Sequence, residues 1–371
     1  MTDGELNQFR ESLLNWFRTY QRTLPWRNNR DPYRIWISEI MLQQTRVATV
    51  IPYYEKFLAR FPNVKSLAEA PQDEVLRLWS GLGYYSRARN MQKAAQQIVS
   101  KHGGEFRHTR EEVLALSGIG EYTAAAILSI AFDEQLAVLD GNVARVLARL
   151  GAIRGDLREP KRWRQLQLSA DLLLAPESPG DWNQAMMELG ATVCSPRSPQ
   201  CLLCPVAQFC QGRRLGIAES LPEKRKKRAT VAVQLMSVVL LDSNSNALLL
   251  PPPTATAKNK ADDHVPSLVS KMWHFPTIAA PKASANALRE FLQSELRIKK
   301  TASLKPELLT EVRHTVTYRA ISVAAYLVRV KQLPKIAEAK SVSLLDTLAL
   351  SISNLTRKIA RNALHHLSAR R

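Results

Sequence analysis

The stretch LSGIGEYTAAAIL, residues 116–128, joins two segments of helical spacing through a short turn that contains Gly118 and Gly120. It is not a dinucleotide-binding turn, because Thr123 stands where the third glycine would be, and it lacks the Gly-Lys-Ser/Thr of a P-loop. The pattern that remains is a helix–hairpin–helix over about 111–132, whose glycines and free helix N–H groups favour a phosphate. A glycine turn that packs two helices together without any ligand is the alternative, and the turn alone leaves both open.

The composition of the chain points to a polyanionic partner. Its 371 residues carry 52 Lys and Arg against 33 Asp and Glu, a net charge of +19. Nucleic acid fits this excess better than a membrane surface does, although a basic tail on an unrelated enzyme stays open. The first ten residues lack the features of a secretory signal, and no apolar run reaches transmembrane length. We therefore expect a cytoplasmic, nucleoid-associated monomer with no membrane association.

The apolar spacing divides the chain into a helical part and a smaller α/β part. Residues 1–212 have mostly helical periodicity; in 32–45, for example, one predicted face runs from Tyr33 to Gln44. Residues 213–229 are polar, basic and aperiodic, which predicts a linker. The remainder, 230–371, predicts a compact α/β domain. Its predicted elements are two strands (VAVQLMSVVLLD and NALLL), a helix (NALREFLQSELRI), a β-hairpin (RHTVTYRAISVAAYLVRV) and a last helix (NLTRKIARNALHHL).

All four cysteines of the chain lie close together and predict a metal centre. Cys194, Cys201, Cys204 and Cys210 have the spacing C-x6-C-x2-C-x5-C, and a reducing cytoplasm argues against disulfides. Four thiolates on one short loop suit either a tetrahedral zinc ion or an iron–sulfur cluster, and the spacing leaves both open.

Two carboxylates are candidates for acid–base chemistry. Asp140 precedes the helical run GNVARVLARL, so it is a predicted N-cap, and the helix N–H groups would favour its ionised form. Glu39 has only apolar or uncharged neighbours three and four residues away on its helix, so burial would raise its pKa and keep it protonated. A solvated surface glutamate is the alternative. Together the pair predicts one carboxyl that donates a proton and one that stays charged.

Several motifs taken together carry a family resemblance. LSGIGEYTAAAI, VLDGNVARVLARL, WISEIMLQQTRVATVIPYY, LWSGLGYYSRARN, NQAMMELGATVC and the four-cysteine loop resemble the MutY-type adenine DNA glycosylases, in the superfamily of helix–hairpin–helix enzymes related to endonuclease III. The match is dense from about residue 10 to 212. It implies a mainly α, two-lobed glycosylase core with a [4Fe–4S] cluster on the cysteines, leaving zinc a minor alternative. It also implies removal of adenine mispaired with 8-oxoguanine in double-stranded DNA, by flipping the base into a pocket.

The resemblance also assigns roles to individual residues. Glu39 would protonate adenine and then assist water, Asp140 would stabilise the cationic sugar, and Tyr122 and Asn142 would support both. Endonuclease III-type enzymes have a lysine at the position of Tyr122, and a phenol cannot form a Schiff base, which predicts base removal without strand cleavage. The implied base pocket consists of Arg22, Trp26, Leu42 and Gln184. The implied DNA contacts are Gln44, Thr45, Leu82, Tyr84, Gly118 and Gly120.

The C-terminal domain resembles, more weakly, the Nudix-like module with which these enzymes recognise 8-oxoguanine. The clustered glutamates of Nudix hydrolases are missing, so nucleotide hydrolysis there is not expected. Val316-Thr317-Tyr318 replaces the family's Phe-Ser-His tip, and Thr317 retains the hydroxyl expected to contact the lesion. A β-turn without any lesion contact is the alternative, and the sequence leaves both open. Two other functions remain open: a lyase like endonuclease III, and an inactive protein that binds mismatched DNA.

Overall fold

A computed structural model describes residues 1–223, 229–251, 272–280, 284–298, 301–316 and 318–369. The chain forms two compact units. The first consists of Met1–Ala70 with Ser86–Lys226, and the second of Pro71–Tyr85 with Lys227–Arg371. The short segment from Pro71 to Tyr85 thus belongs to the second unit, although the sequence predicts a continuous N-terminal domain. None of the helices within the described ranges is long and apolar enough to cross a membrane.

The first unit is helical, as predicted, and we number helices and strands along the whole chain. Its helices are α1 (Asp3–Tyr20), α2 (Pro32–Leu42), α3 (Val47–Arg60), α4 (Val64–Glu69), α6 (Ser86–His102), α7 (Arg110–Leu114), α8 (Glu121–Phe132), α9 (Gly141–Leu150), α10 (Pro160–Leu173), α11 (Pro179–Thr192) and α12 (Gln211–Arg214). A 3₁₀ turn at Pro25–Arg27 leads into α2.

Side-chain caps set where the functional helices begin. Asp31 accepts a hydrogen bond from the Tyr33 amide, and proline follows it at the first helical position, so α2 begins sharply there. Helix α2 ends at Leu42, and Gln44 has a left-handed backbone with φ 57°. The prediction that Gln44 continues the face of this helix is therefore wrong, because the chain turns away two residues earlier.

The helix–hairpin–helix is formed by α7 and α8, as predicted. Gly118 in the intervening turn has φ +79°, and a Cβ there would lie 2.6 Å from the Cβ of Asn90. Both the backbone conformation and the close packing against α6 require glycine at this position. Gly120 is the N-cap residue of α8, and a Cβ there would meet open space. Gly120 itself is exposed at the start of α8.

The second unit is an α/β domain to which a short helix is added. Its elements are α5 (Gln72–Trp79), β1 (Val231–Leu241), β2 (Asn246–Leu249), β3 (Thr277–Ala279), α13 (Ala285–Ser294), β4 (Glu307–Val316), β5 (Arg319–Arg329), β6 (Lys340–Ser343) and α14 (Asn354–Ser368). These positions confirm the two strands, the helix, the hairpin and the last helix that the sequence predicts.

A mixed sheet of the order β4-β5-β1-β2-β6 forms the centre of this unit, with β3 also paired to β1. β1 and β5 run parallel in one continuous register, whereas β4 and β5 form the antiparallel hairpin. Alternate residues of β1 pack on opposite faces: Leu235 and Val239 lie in the core with α14, and Met236 and Val238 lie in the core with α13. The domain is therefore a three-layer α/β/α sandwich.

Candidate active site

A cavity of about 660 Å³ in the first unit contains most of the predicted site. Helices α2, α8, α9 and α11 and the 3₁₀ turn before α2 contribute its walls. The predicted residues that line it are Glu39, Tyr122, Asp140, Asn142, Arg22, Trp26, Leu42, Gln184, Gln44, Thr45 and Gly120. Among these predicted residues, Arg22 and Gln184 lie 162 positions apart in the sequence and line the same cavity.

Glu39 is a buried acid. Its residue is only 6% exposed, which excludes the solvated surface alternative. Burial raises the pKa of its carboxyl to about 7, and the neighbouring Asp140 carboxylate raises it as well, while the hydrogen bond from Tyr122 and the charge of Arg27 oppose the increase. Glu39 can therefore hold or release a proton near neutral pH.

Tyr122 connects the helix–hairpin–helix to this acid. It lies in the first turn of α8, and its hydroxyl donates a hydrogen bond of 2.6 Å to Oε2 of Glu39. Burial, followed by the charges of Glu39 and Asp140, raises the pKa of the phenol well above its usual value. The tyrosine thus stays neutral and acts as a donor to Glu39.

Asp140 caps α9, as predicted. Its Oδ1 accepts the amides of Asn142 at 2.9 Å and Val143 at 2.7 Å, and Oδ2 accepts the Asn142 side-chain amide at 3.0 Å. The capping hydrogen bonds lower the pKa of Asp140, as predicted, but burial raises it by more, so the net shift is upward. The two oxygens of Asp140 nevertheless accept three hydrogen bonds from α9, and such hydrogen bonds stabilise the ionised carboxylate.

The other side of Asn142 is fixed by a buried arginine. Nη2 of Arg145 donates to Oδ1 of Asn142 at 2.9 Å and to the carbonyl of Gly190 at 2.7 Å, and Nε donates to the carbonyl of Cys194 at 2.9 Å. A Cβ on Gly190 would lie 2.8 Å from the Cβ of Asn142, so glycine is required for this close approach of α9 and α11. Hydrogen bonds therefore connect Asp140, through Asn142 and Arg145, to the backbone of the cysteine loop.

Glu188 on α11 is a cavity residue that the sequence reasoning missed. Its side chain is 1% exposed and pairs with Nε of Arg22 at 2.7 Å and Nη2 of Arg27 at 2.9 Å. Burial raises the pKa of Glu188, but the hydrogen bonds and charges of the two arginines outweigh burial and bring the pKa to about 2. The only available signal was NQAMMELG, where Glu188 lies four residues after Gln184 and so on the same side of the helix.

The predicted DNA contacts divide between the units. Gln44 and Thr45 lie at the cavity directly after α2, and Gln44 is exposed. Leu82 and Tyr84 belong to the second unit, where Leu82 is 6% exposed and Tyr84 is 45% exposed. Of these two residues, Tyr84 is therefore the one whose side chain is exposed to solvent. Thr317 lies outside the described residues.

The four cysteines line one small cavity beside α9 and α12. Arg149, 1% exposed, donates from Nη1 to the carbonyl of Cys194 at 3.2 Å and to its Sγ at 3.3 Å. Burial raises the pKa of the Cys204 thiol to about 11, so cationic metal is needed to keep it as a thiolate. The donor set, all sulfur, fits either a tetrahedral zinc ion or an iron–sulfur cluster.

The chain is similar to known DNA repair proteins. Residues 37–169 match the model of the HhH-GPD superfamily of base excision DNA repair proteins. The chain is 48% identical over 220 residues to the human adenine DNA glycosylase, covering 57% of this chain and 40% of that protein. It is 39% identical over 237 residues to the adenine DNA glycosylase of Buchnera aphidicola subsp. Schizaphis graminum, covering 64% of this chain and 68% of that protein. The chain thus spans less than half the length of the human relative.

Solved structures show the same architecture for the helical part. A thermostable thymine-DNA glycosylase aligns with a TM-score of 0.53 and 29% identity, covering 58% of this chain and 99% of that one. A trapped covalent intermediate of endonuclease III with DNA aligns with a TM-score of 0.50 and 23% identity, covering 58% of this chain and 99% of that one. The second likeness concerns the fold alone.

Proposed function

The chain belongs to the adenine DNA glycosylases of the helix–hairpin–helix superfamily, and from that premise we propose that it removes adenine from duplex DNA by hydrolysing the bond between base and sugar. The observation that carries this proposal is the buried acid Glu39, with a pKa of about 7, in the same cavity as the capped carboxyl of Asp140. Two acids in unequal surroundings are what acid-assisted glycosidic cleavage requires.

Glu39 acts first as the general acid. Tyr122 donates to its Oε2, so the proton on the other oxygen is available for a ring nitrogen of adenine held in the cavity. Protonation lets the base leave with the electrons of the glycosidic bond, and the sugar becomes an oxocarbenium-like cation. Asp140, as a carboxylate, stabilises that cation. Glu39, now ionised, takes a proton from the water that adds to the sugar carbon, leaving an abasic site and restoring the acid.

The cavity favours hydrolysis over strand cleavage. A lyase needs an uncharged amine to attack the sugar, and none of the described residues lining the cavity is a lysine. Arg22 and Arg27 carry guanidinium groups rather than amines, and both are paired with Glu188. This supports a monofunctional enzyme over the endonuclease III-like alternative.

The partner base is proposed to be 8-oxoguanine, with guanine as a poorer alternative. Support comes from the C-terminal sandwich, where Tyr318 directly precedes strand β5 of the β4–β5 hairpin. The guanidinium carbon of Arg319 lies over the Tyr318 ring, 5.3 Å from its centroid. A flat aromatic group beside a cation is suited to an exposed, electron-rich base. We assign Thr317 and Tyr318 to this contact.

The cysteine loop is proposed to hold a [4Fe–4S] cluster through Cys194, Cys201, Cys204 and Cys210. The cluster would fix the loop against α9, with Arg149 donating to the Cys194 sulfur. Metal analysis of the purified protein tests this assignment: iron and acid-labile sulfide in equal amounts support it, and zinc without sulfide would replace it by the zinc alternative.

A glycosylase assay tests the reaction. A duplex with adenine opposite 8-oxoguanine should release adenine and leave a strand that breaks only after alkali. Strand breaks without alkali, together with a covalent adduct after borohydride treatment, would establish the lyase instead. Tight binding without base release would establish an inactive mismatch-binding protein.

A further inference from the structure

The turn that carries Tyr84 has a strained and exposed conformation. Gly81, Gly83 and Tyr84 all have positive φ, with Tyr84 at 47°, although its Cβ disfavours that region. Its side chain is 45% exposed, whereas Leu82 beside it is buried. Such a conformation persists only when neighbouring contacts hold it.

Some of those contacts come from the turn itself. Leu82 donates its amide to the carbonyl of Trp79 at 3.1 Å, and Nε1 of the Trp79 side chain donates to the carbonyl of Gly83, also at 3.1 Å. They close the turn but do not fix its two ends.

The ends are held by residues 348–357, more than 260 positions later in the chain. Nη2 of Arg357 donates to Oγ of Ser80 at 2.7 Å, and its Nη1 donates to the carbonyl of Leu348 at 2.9 Å. The hydroxyl of Tyr85 donates to the carbonyl of Ile352 at 3.5 Å. Ser80 precedes the strained residues and Tyr85 follows them, so the turn is bracketed on both sides.

The helix before the turn is held in the same way. Oγ of Ser351, a 4% exposed residue, donates to the carbonyl of Asp73 at 2.9 Å. Nζ of Lys340 lies 3.8 Å from Oδ2 of Asp73, and 4.1 Å from the ring centroid of Trp273. Contacts to α5 and both ends of the turn thus come from the C-terminal α/β domain.

An exposed aromatic side chain on a rigid turn can insert between stacked bases. The inserted ring then stacks on the bases that the extruded base has left, which offsets part of the cost of extrusion. The ring is effective only if its backbone is fixed before DNA arrives. We propose that Arg357, through Ser80, holds the 80–85 turn in the conformation that presents Tyr84 to DNA, and is thereby a positioning residue for base extrusion. The inference rests on the proposed function, since it assumes that adenine is extruded.

Arg357→Ala in the full chain tests this role, with Arg361→Ala, an exposed arginine one turn later on α14, as the matched control. Amide hydrogen exchange is read for residues 80–85. The rate of extrusion is read from the fluorescence of 2-aminopurine placed beside the mispaired adenine. Duplex affinity and the melting temperature are measured in parallel.

Arg357→Ala should speed exchange across the turn and slow extrusion about tenfold, the change expected from losing a hydrogen bond to a charged donor. Duplex affinity and melting temperature should stay close to those of the wild type. Arg361→Ala should behave as the wild type throughout, and Arg357→Lys should recover part of the rate. Ser80→Ala should slow extrusion as well, and its effect should not add to that of Arg357→Ala, since both variants remove the hydrogen bond between Arg357 and Ser80.

An Arg357→Ala variant with unchanged hydrogen exchange or an unchanged extrusion rate overturns the inference. So does an equal loss of extrusion rate in Arg361→Ala, or a double variant whose loss is the sum of the two single losses. If the wild type releases adenine and only these outcomes are negative, the positioning role fails by itself. If the wild type neither extrudes nor releases adenine, the proposed function fails and the role of Tyr84 with it.

Discussion

At the scale of single residues, hydrogen bonds decide which of the two buried carboxyls in the cavity carries the proton. Burial raises the pKa of both Glu39 and Asp140, but Asp140 receives three hydrogen bonds from α9, whereas Glu39 receives one from Tyr122. Two nearby carboxyls also resist being ionised together. The proton therefore resides on Glu39, and the negative charge on Asp140.

Tyr122→Phe should move the alkaline limb of the pH–rate profile to higher pH. The Tyr122 hydrogen bond lowers the pKa of Glu39, so its removal raises that pKa above about 7 and keeps the acid protonated further into alkaline solution. Single-turnover rates across pH measure the position of the limb. Tyr33→Phe is the control, since the buried Tyr33 hydroxyl, on the same helix as Glu39, donates to the carbonyl of Phe61 instead. A limb that stays in place, or moves down, contradicts this assignment.

At the scale of elements, α11 holds the wall of the cavity by a buried charge cluster. Glu188 ties it to Arg22, which precedes the 3₁₀ turn carrying Trp26, and to Arg27, the last residue of that turn. Local sequence predicts the cap at Asp140, because it depends on residues two and three positions away. It could not predict Glu188 with Arg22, since the chain must first fold across 166 positions.

Glu188→Gln should destabilise the protein by about 3 kcal/mol, because two guanidinium groups lose their buried partner. The control, Asp181→Asn on the same helix, removes an exposed pair with Arg18 and should cost less than about 1 kcal/mol. Denaturant unfolding at neutral pH measures both. Equal effects of the two variants would show that the buried cluster adds nothing.

The contribution of Glu188 to the stability of the protein should depend strongly on pH in acid. Because the folded pKa of Glu188 lies below its ordinary value of 4.5, at about 2, its contribution is complete above pH 4.5 and is lost as the pH falls towards 2. The stability difference between the wild type and Glu188→Gln should therefore shrink over that range. A difference that grows on acidification would contradict the assigned pairing.

At the scale of the whole molecule, the sequence predicts the individual helices and strands better than it predicts which segments pack together into one unit. The helical periodicity of 1–212 and the strands after 230 are confirmed, since both are repeating local patterns. The parallel pairing of β1 with β5 has no local signal, because residues such as Val231 and Arg319 meet only in the folded sheet. The same holds for Pro71–Tyr85, which the sequence assigns to the helical core and the structure to the second unit.

Removing residues 230–371 should weaken selection for adenine opposite 8-oxoguanine over adenine opposite guanine. The truncation also removes Arg357, the partner of Ser80, so a general loss of rate is expected beside the loss of selection. Tyr318→Ala in the full chain separates the two effects, since it should reduce selection alone. The ratio of single-turnover rates on the two duplexes measures selection, and an unchanged ratio in both variants would remove the C-terminal domain from lesion recognition.

We propose that buried, protonated Glu39 is the acid that releases adenine. The most direct measurement is single-turnover adenine release by Glu39→Gln under saturating duplex with adenine opposite 8-oxoguanine, compared with the wild type and with duplex affinity measured in parallel. Glutamine keeps the size of the side chain and removes the acid, so we predict unchanged affinity and no detectable release. Substantial release by Glu39→Gln, with duplex affinity intact, would contradict the assignment of the acid.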